Sequence, residues 1–239
     1  MKSLSQWKVQ ALSILAVFLC LTKTAQCAAE QTPGEEAVDL PLPVDRVQVK
    51  EGAESVATFS GKEFALGAAT GEPALPTYCL KVLLPPNADL KSIRVTIVCS
   101  GFEDIPGQLD MLPMPAAMSR GKAIQPAGLV LVNGRSAVAY ARDAFRPESP
   151  LGLVLPGQMR EWRFVEVEVH PYQYNPVSKS LRKLASGSLH VGFRRTAEGR
   201  SVRSRSQEMA LLCESRIRQS VVNFSAFSSE YKSIQAEKR

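Results

Sequence analysis

Two segments of the chain alternate strictly between apolar and polar residues. Residues 92–100 have an apolar side chain at every second position, with Arg94 and Thr96 between them. Residues 188–194 repeat this pattern, with His190 on the polar side. Because successive side chains of a strand point to opposite faces of a sheet, both segments are predicted to be half-buried β-strands.

A third strand-like segment, residues 161–170, changes phase partway along. Trp162 and Phe164 set one alternation, and the valines from Val165 onward set the opposite one. Such a change indicates either a β-bulge or a strand that is buried on both faces.

Shorter strand signals follow one another along the body of the chain, separated by turn residues. They are found at residues 46–50, 55–59, 78–84, 128–132 and 136–140. Asn133-Gly134 lies between the last two, and this dipeptide is typical of a tight hairpin turn. Many short strands with little helical periodicity predict an all-β fold, a β-sandwich or jelly roll.

Three segments depart from the strand pattern. Residues 30–43 are acidic, contain proline and have no period, which predicts a loose leader. Residues 106–126 contain four prolines and three methionines and are predicted to be a long exposed loop. Residues 195–239 form a basic tail, in which a capping box at Ser204 and Gln207 predicts a short helical element, one amphipathic helix followed by a serine-rich stretch.

Residues 1–29 have the composition of an export signal. Lys2 and Lys8 give a positive start, residues 11–21 are apolar, and small residues at 25–29 fit a cleavage zone. An apolar run of this length is too short to cross a bilayer, and no later segment is more apolar. We therefore expect an exported protein, periplasmic or extracellular, with no membrane span.

The formal net charge of +6 does not describe the body of the chain. The excess of basic residues lies in the export signal and in the segment from Arg194 onward, and the part between them is slightly acidic. A nucleic-acid-binding domain would instead present a basic face with interleaved aromatic residues. We therefore expect no nucleic-acid partner.

The chain lacks the residue combinations of a catalytic or metal site. Its two histidines, His170 and His190, are interpreted as ordinary, partly exposed strand residues, and Glu166 and Glu168 as solvated carboxylates that share a strand face. No cysteine lies at zinc-ligand spacing, and reduced, packed cysteines are favoured over a disulfide at Cys79, Cys99 and Cys213. We expect no catalytic residues, no metal and no cofactor.

Two proline-containing motifs stand out in the body of the chain. One is Gly-Glu-Pro-Ala-Leu-Pro, followed by an apolar strand, and the other is a Tyr-Asn-Pro turn after a strand that ends in His170-Pro171. The residues that carry them are Gly71, Pro73, Leu75, Pro76, Tyr174, Asn175 and Pro176. The prolines fix extended backbone and close a turn, so a structural role is expected for both motifs.

In their order and spacing, these motifs resemble the propeptide of gingipain-type (C25 family) cysteine peptidases, which are specific for Arg or Lys. The resemblance covers residues 44–194 and implies a β-sandwich pro-domain that assists folding of a peptidase domain and blocks its cleft until it is removed. The chain stops at Arg239, about where a peptidase would begin. We therefore expect either a truncated or split precursor, with residues 195–239 as a candidate linker, or a stand-alone inhibitor or chaperone.

Arg120-Gly121-Lys122 is the basic cluster of the predicted loop. A guanidinium suits a carboxylate at the base of a specificity pocket. Arg120 and Lys122 are therefore candidates for an inhibitory loop that fills the pocket of the peptidase without productive cleavage. The alternative is a secreted adhesion or structural module, which predicts binding to an envelope or glycan and no effect on proteolysis.

Overall fold

The computed structural model describes residues 34–52, 55–124, 126–196 and 207–236. The predicted export signal and Ser204 of the predicted capping box lie outside these residues. The strands are β1 (Glu35–Pro41), β2 (Val47–Glu51), β3 (Ala57–Gly61), β4 (Ala65–Gly67), β5 (Leu75–Leu84), β6 (Arg94–Cys99), β7 (Phe102–Ile105), β8 (Ala117–Ser119), β9 (Lys122–Ile124), β10 (Leu131–Val132), β11 (Arg135–Ser136), β12 (Leu151–Met159), β13 (Trp162–Val169), β14 (Tyr172–Asn175), β15 (Ser180–Leu184) and β16 (Gly187–Arg194). The helices are α1 (Ala137–Tyr140), α2 (Gln207–Ser220) and α3 (Phe224–Ala236).

Strands β12-β13-β5-β4 form a four-stranded antiparallel sheet that has buried side chains on both faces. Strand β13 pairs with β5 without a register shift. The valines within residues 165–169 belong to the main core on one face, whereas Trp162 and Phe164 belong to a second cluster on the other face. The change of phase in the sequence therefore comes from a strand buried on both faces, the second of the two predicted alternatives.

The main core lies between this sheet and two three-stranded sheets, β1-β16-β6 and β14-β15-β7. The predicted strands at residues 92–100 and 188–194 correspond to β6 and β16, which pair with each other. Leu189, Val191 and Phe193 of β16 are fully buried, as their alternation predicts. The predicted all-β fold, with sheets packed around a common core, is confirmed.

The shorter strand predictions agree with the structure except for the last one. Strands β2, β3, β5 and β10 account for most of residues 46–50, 55–59, 78–84 and the end of 128–132. The prediction of a strand at residues 136–140 is wrong, because Ser136 ends β11 and caps the single-turn helix α1 by accepting a hydrogen bond from the Ala139 amide at 3.3 Å. A serine hydroxyl at this position favours a helical turn over continued extension.

Strand β1 corrects the prediction of a loose leader at residues 30–43. It pairs with β16 along all of its 7 residues. Its acidic side chains are partners across the sheet: Glu36 accepts a hydrogen bond from Arg195 Nε at 2.7 Å, and Asp39 Oδ1 lies 2.8 Å from His190 Nδ1. The alternation in the sequence is weak because these contacts are polar and depend on residues far along the chain.

The prediction of a long exposed loop at residues 106–126 is wrong for the loop, because the second half forms a paired hairpin, and it is correct for the exposure of that half. Leu109 and Met111 are buried in the main core, and strands β8 and β9 form an exposed hairpin after them. The methionines and prolines hide this division in the sequence, because neither residue type gives a clear alternation.

The C-terminal segment contains two helices rather than the predicted one. Helix α3 occupies the stretch that was predicted to be serine-rich and without a helix. Phe224, Phe227 and Tyr231 lie on one side of it, and Tyr231 stacks on Trp162 with a distance of 4.2 Å between ring centroids. These aromatic residues recur at helical spacing, so the signal for α3 was present in the sequence.

The connection between α2 and α3 pairs with β5 of the four-stranded sheet through a parallel bridge between Val221 and Lys81. The Val222 amide donates to the Lys81 carbonyl at 2.9 Å, and the side-chain amide of Asn223 bonds to both the amide and the carbonyl of Leu83, at 2.7 and 3.0 Å. Asn223 is only 8% exposed. Asn223-Phe224-Ser225 has the form of a glycosylation sequon, but the Asn223 side chain is engaged in these hydrogen bonds, which hold the connection between the helices on the sheet.

Candidate functional site

The candidate inhibitory residues lie at and next to the turn of the β8–β9 hairpin. Ser119 is opposite Lys122 in the register, and Arg120 and Gly121 form the two-residue turn between them. Both turn residues have positive φ, 49° for Arg120 and 77° for Gly121, as the tight turns preferred in hairpins require. Every residue from 117 to 124 is exposed, so the hairpin projects from the body with Arg120 at its tip.

The first family-like motif holds the segment that leads into this hairpin. The Met114 amide donates to the Glu72 carbonyl at 2.7 Å, and the Gly71 amide donates to the Met114 carbonyl at 2.8 Å. The Ala74 amide donates to the Leu112 carbonyl at 2.9 Å, and Pro73 and Pro113 form an antiparallel bridge between this bond and the Met114–Glu72 bond. The prolines therefore lie on extended backbone, as predicted, and that backbone fixes residues 112–114.

Gly71 is required by close approach as well as by backbone conformation. Its φ is +81°, and a Cβ added here would lie 2.4 Å from Leu131 Cδ2 and 3.0 Å from the Ser136 amide nitrogen. The Gly71 carbonyl accepts a hydrogen bond from that same amide at 2.8 Å. Gly71 thus brings the β10–β11 hairpin against the motif. Leu75 and Pro76 complete the motif at the buried start of β5, where Pro76 is opposite Leu66 of β4.

The second motif holds the same segment from its other end. The Tyr174 hydroxyl donates to the Leu109 carbonyl at 2.9 Å, and the Leu109 amide donates to the Lys179 carbonyl at 2.9 Å. Asn175 closes the turn around Pro176 by accepting from the Val177 amide at 3.0 Å. The sequence identified both motifs as structural, and the structure brings them together on residues 109–114.

A groove lies beside this segment, between Pro113, the β10–β11 turn and α1, with a volume of about 470 Å³. Arg135 pairs with Asp110 at 2.9 Å and covers the ring of Tyr140, whose hydroxyl donates to the Met111 carbonyl at 2.8 Å. Burial raises the pKa of Tyr140 to about 12. This groove was not predicted from the sequence, because it is assembled from segments that are separate in the chain.

The described residues contain no arrangement for nucleophilic catalysis. His170 Nδ1 lies 3.3 Å from the Thr77 hydroxyl, and burial lowers the pKa of His170. His190 contacts Asp39. The Cys79 side chain reaches the surface, but partial desolvation raises the pKa of its thiol, and the charge of Glu166 raises this pKa further. A raised thiol pKa is opposite to what a reactive thiolate needs.

The cysteines differ from the prediction in one respect. Cys79, Cys99 and Cys213 are all free, but only Cys213 is packed, whereas Cys79 and Cys99 are exposed on their strands.

Glu166 pairs with Lys81 at 2.7 Å and so is a structural carboxylate. Within the part of the chain that the structure describes, no three potential metal ligands cluster, and no helix is long and apolar enough to cross a membrane.

Comparison with known proteins identifies the family. Gingipain R2 from two strains of Porphyromonas gingivalis is 30% identical over 136 residues, which is 57% of this chain and 17% of the relative, so the chain spans less than a fifth of that protein. The solved complex of the P. gingivalis RgpB pro- and mature domains matches with a TM-score of 0.54 and 21% identity, over 83% of this chain and 96% of the matched chain, which supports the fold. The Propeptide_C25 family model matches residues 39–234. This chain therefore belongs to the Propeptide_C25 family, and it is a propeptide domain of the gingipain type that is not itself catalytic.

Proposed function

We propose that this chain is an exported pro-domain that assists the folding of a gingipain-type cysteine peptidase and inhibits it until the pro-domain is removed. The observation that carries the proposal is the position of Arg120, a cation at the turn of an exposed hairpin whose base is held by two motifs. The signal-like residues 1–29 support the export part of the proposal, and the β-sheet body extends from β1 to β16.

In this proposal the Arg120 guanidinium enters the specificity pocket of the peptidase. A planar guanidinium forms paired hydrogen bonds to a carboxylate, a geometry that a lysine ammonium cannot reproduce. Lys122 follows the turn on β9 and so takes a secondary position, at the rim of the pocket. An Arg-specific peptidase is therefore the expected target.

The conformation of the turn explains how the hairpin would resist cleavage. A peptidase attacks a carbonyl that is held close to its nucleophile in a defined geometry, and a small misplacement is costly. Peptide substrates reach that geometry with extended backbone, whereas Arg120 has a left-handed φ of 49°. The pairing of Ser119 with Lys122 opposes extension of the turn. The guanidinium can then occupy the pocket while the following peptide bond is held away from the nucleophile.

The fixed base of the hairpin supports both inhibition and folding assistance. A segment that is already ordered loses little conformational entropy on binding, so more of the contact energy contributes to affinity. Residues 109–114 are hydrogen-bonded on both sides before any partner is present. A preformed surface of this kind also favours the native arrangement of a folding peptidase, because it binds the folded form and not the unfolded one.

The test is a titration of the purified chain against Arg-specific and Lys-specific gingipain-type peptidases, with hydrolysis of a small substrate as the readout. We expect saturable inhibition of the Arg-specific enzyme, and a loss of at least about 100-fold in affinity for Arg120→Ala, in the range of a binding hot spot. A refolding assay of the peptidase with and without the chain tests the second role. Absence of inhibition, together with binding to envelope or glycan, would favour the adhesion module instead.

A further inference from the structure

The groove beside the hairpin has an exposed apolar rim. We call this rim the apolar collar and define it as Leu112 and Val132, which line the groove, together with Val130 and Val138, which are close in the chain to the lining residues Val132 and Ala137. Leu112, Val130, Val132 and Val138 are 57, 64, 58 and 79% exposed. Single exposed apolar side chains are common on soluble proteins, but several of them around one concavity mark a site of interaction. The collar therefore needs an explanation that its own fold does not supply.

The collar is also free of competing charge. The sequence from Ala123 to Gly134 contains no charged residue. Arg135 lines the groove, but its guanidinium is engaged by Asp110 at 2.9 Å and lies over the Tyr140 ring. An apolar partner thus meets the collar without desolvating a free charge, which would oppose binding.

Hydrogen bonds and close packing hold the collar in place. The Ala137 amide donates to the Val130 carbonyl at 3.1 Å, and the Ala74 amide donates to the Leu112 carbonyl at 2.9 Å. Leu131, between two collar residues, lies directly over Gly71. A surface fixed in this way binds with a smaller entropic penalty than a mobile loop.

The collar lies within reach of a partner that binds the hairpin. Pro113 lines the groove and Arg120 follows seven residues later, so the two lie at most about 25 Å apart. A round contact surface of about 800 Å², the standard size on each partner, is about 30 Å across. A protein whose pocket holds Arg120 can therefore reach the collar as well.

We propose that the apolar collar is a second contact surface of the inhibitory site and that it receives an aromatic or branched aliphatic side chain from the rim of the peptidase cleft. This inference rests on the proposed function. The charge of the neighbouring hairpin favours this occupant over a second copy of the chain, because a second copy would present the same cations, Arg120 and Lys122, beside its own collar. The same cations suit an acidic specificity pocket beside an apolar rim.

The experiment compares Val138→Glu and Val132→Ser with the control Leu153→Glu, in the peptidase titration described above. Leu153 is 57% exposed and belongs to β12, outside the collar. We expect each collar variant to weaken inhibition by about tenfold, mainly through faster dissociation. The melting temperatures should stay at the wild-type value, because these side chains are exposed and outside the core.

Each result of this experiment has one meaning. If the wild-type chain does not inhibit, the proposed function fails. If it inhibits and Arg120→Ala weakens it, but the collar variants inhibit like Leu153→Glu, the collar inference is overturned and the proposed function stands. Dimers in sedimentation of the wild-type chain that dissociate in Val138→Glu would also overturn it, because the occupant would then be a second copy.

Discussion

The two consecutive hairpins β8–β9 and β10–β11 share one turn geometry but differ in every other respect. Asn133 and Gly134 have φ values of 50° and 78°, and Arg120 and Gly121 have values of 49° and 77°. Asn tolerates the left-handed region because its short side chain bonds locally, whereas a long side chain such as Arg has no such compensation. Both turns need positive φ, and intrinsic preference explains Asn at position 133 but does not explain Arg at position 120.

The two turns also differ in how closely the rest of the protein packs around them. A Cβ on Gly134 would touch Pro113, and Leu131 of the same hairpin packs on Gly71. A Cβ on Gly121 would meet nothing within 4 Å. Arg120 thus has a disfavoured conformation in a hairpin that packs on little else, and in the proposed function this conformation serves the peptidase partner.

The sharpest way to break the comparison is Arg120→Asn, which gives both hairpins an Asn-Gly turn. The hairpin should be retained or stabilised, since Asn-Gly is the preferred pair, while the guanidinium is lost. We expect the inhibition constant to rise by about 100-fold or more, in the range of a hot-spot loss of roughly 3 kcal/mol. Unchanged inhibition would mean that the backbone shape of the hairpin, and not the cation, is recognised. Arg120→Lys is the matched variant, and it should shift preference toward a Lys-specific peptidase.

The contrast in packing is tested by Gly71→Ala against Gly121→Ala. Both positions have positive φ, but only at Gly71 would a Cβ meet Leu131 and the Ser136 amide. We expect a loss of about 2–3 kcal/mol in the free energy of unfolding for Gly71→Ala, from the strained backbone and the displaced hairpin. Gly121→Ala should leave global stability within about 0.5 kcal/mol, because the exposed hairpin can open without unfolding the core. Equal losses in urea unfolding would show that the two hairpins are equally integrated.

Placing an arginine at position 133 tests whether Arg is unfavourable in the left-handed conformation of these turns. Asn133→Arg places in the packed hairpin the residue found in the exposed one. We expect it to cost about 1 kcal/mol in urea unfolding, the magnitude of a left-handed conformation without local compensation. Asn133→Gly serves as the control and should be close to neutral, since Gly adopts positive φ without steric cost. A neutral Asn133→Arg would remove the argument that Arg120 is conformationally unfavourable.

The same two hairpins illustrate what the sequence could predict. Asn133-Gly134 was predicted as a turn because its preference is local, and β16 was predicted because its alternation is set by one buried face. Strand β1 and the buried Leu109 and Met111 were not predicted, since their partners are distant in the chain. Helix α3 had a readable aromatic spacing, but its serines masked it.

The candidate site shows the same limit. The sequence identified the basic residues and both motifs, and it recognised the motifs as structural. It could not show that Gly71 and Tyr174 hold one common segment, because that depends on how separate strands pack in three dimensions. For the same reason the groove and its collar emerged only from the fold.

The smallest expected effect concerns the response of the groove beside the β10–β11 hairpin to alkaline pH. Burial raises the pKa of Tyr140 from its ordinary value of 10.0 to about 12, and the neutral hydroxyl donates to the Met111 carbonyl. Because the folded-state pKa is the higher one, this stabilisation is fully present below pH 10 and is lost as pH rises from 10 through 12. Tyr140→Phe should therefore lower stability by about 1 kcal/mol below pH 10, from the lost hydrogen bond, and should show a shallower decline above it.

Tyr172 gives the matched control for this pH dependence. Burial also raises its pKa to about 12, and its hydroxyl donates to the Val47 carbonyl in the main core, away from the groove. Tyr172→Phe should flatten the alkaline decline of global unfolding in the same way but leave inhibition unchanged. If the Tyr140 hydroxyl positions the groove, Tyr140→Phe should weaken inhibition slightly at neutral pH. Identical inhibition by both variants would show that the Tyr140 contact supports the fold alone.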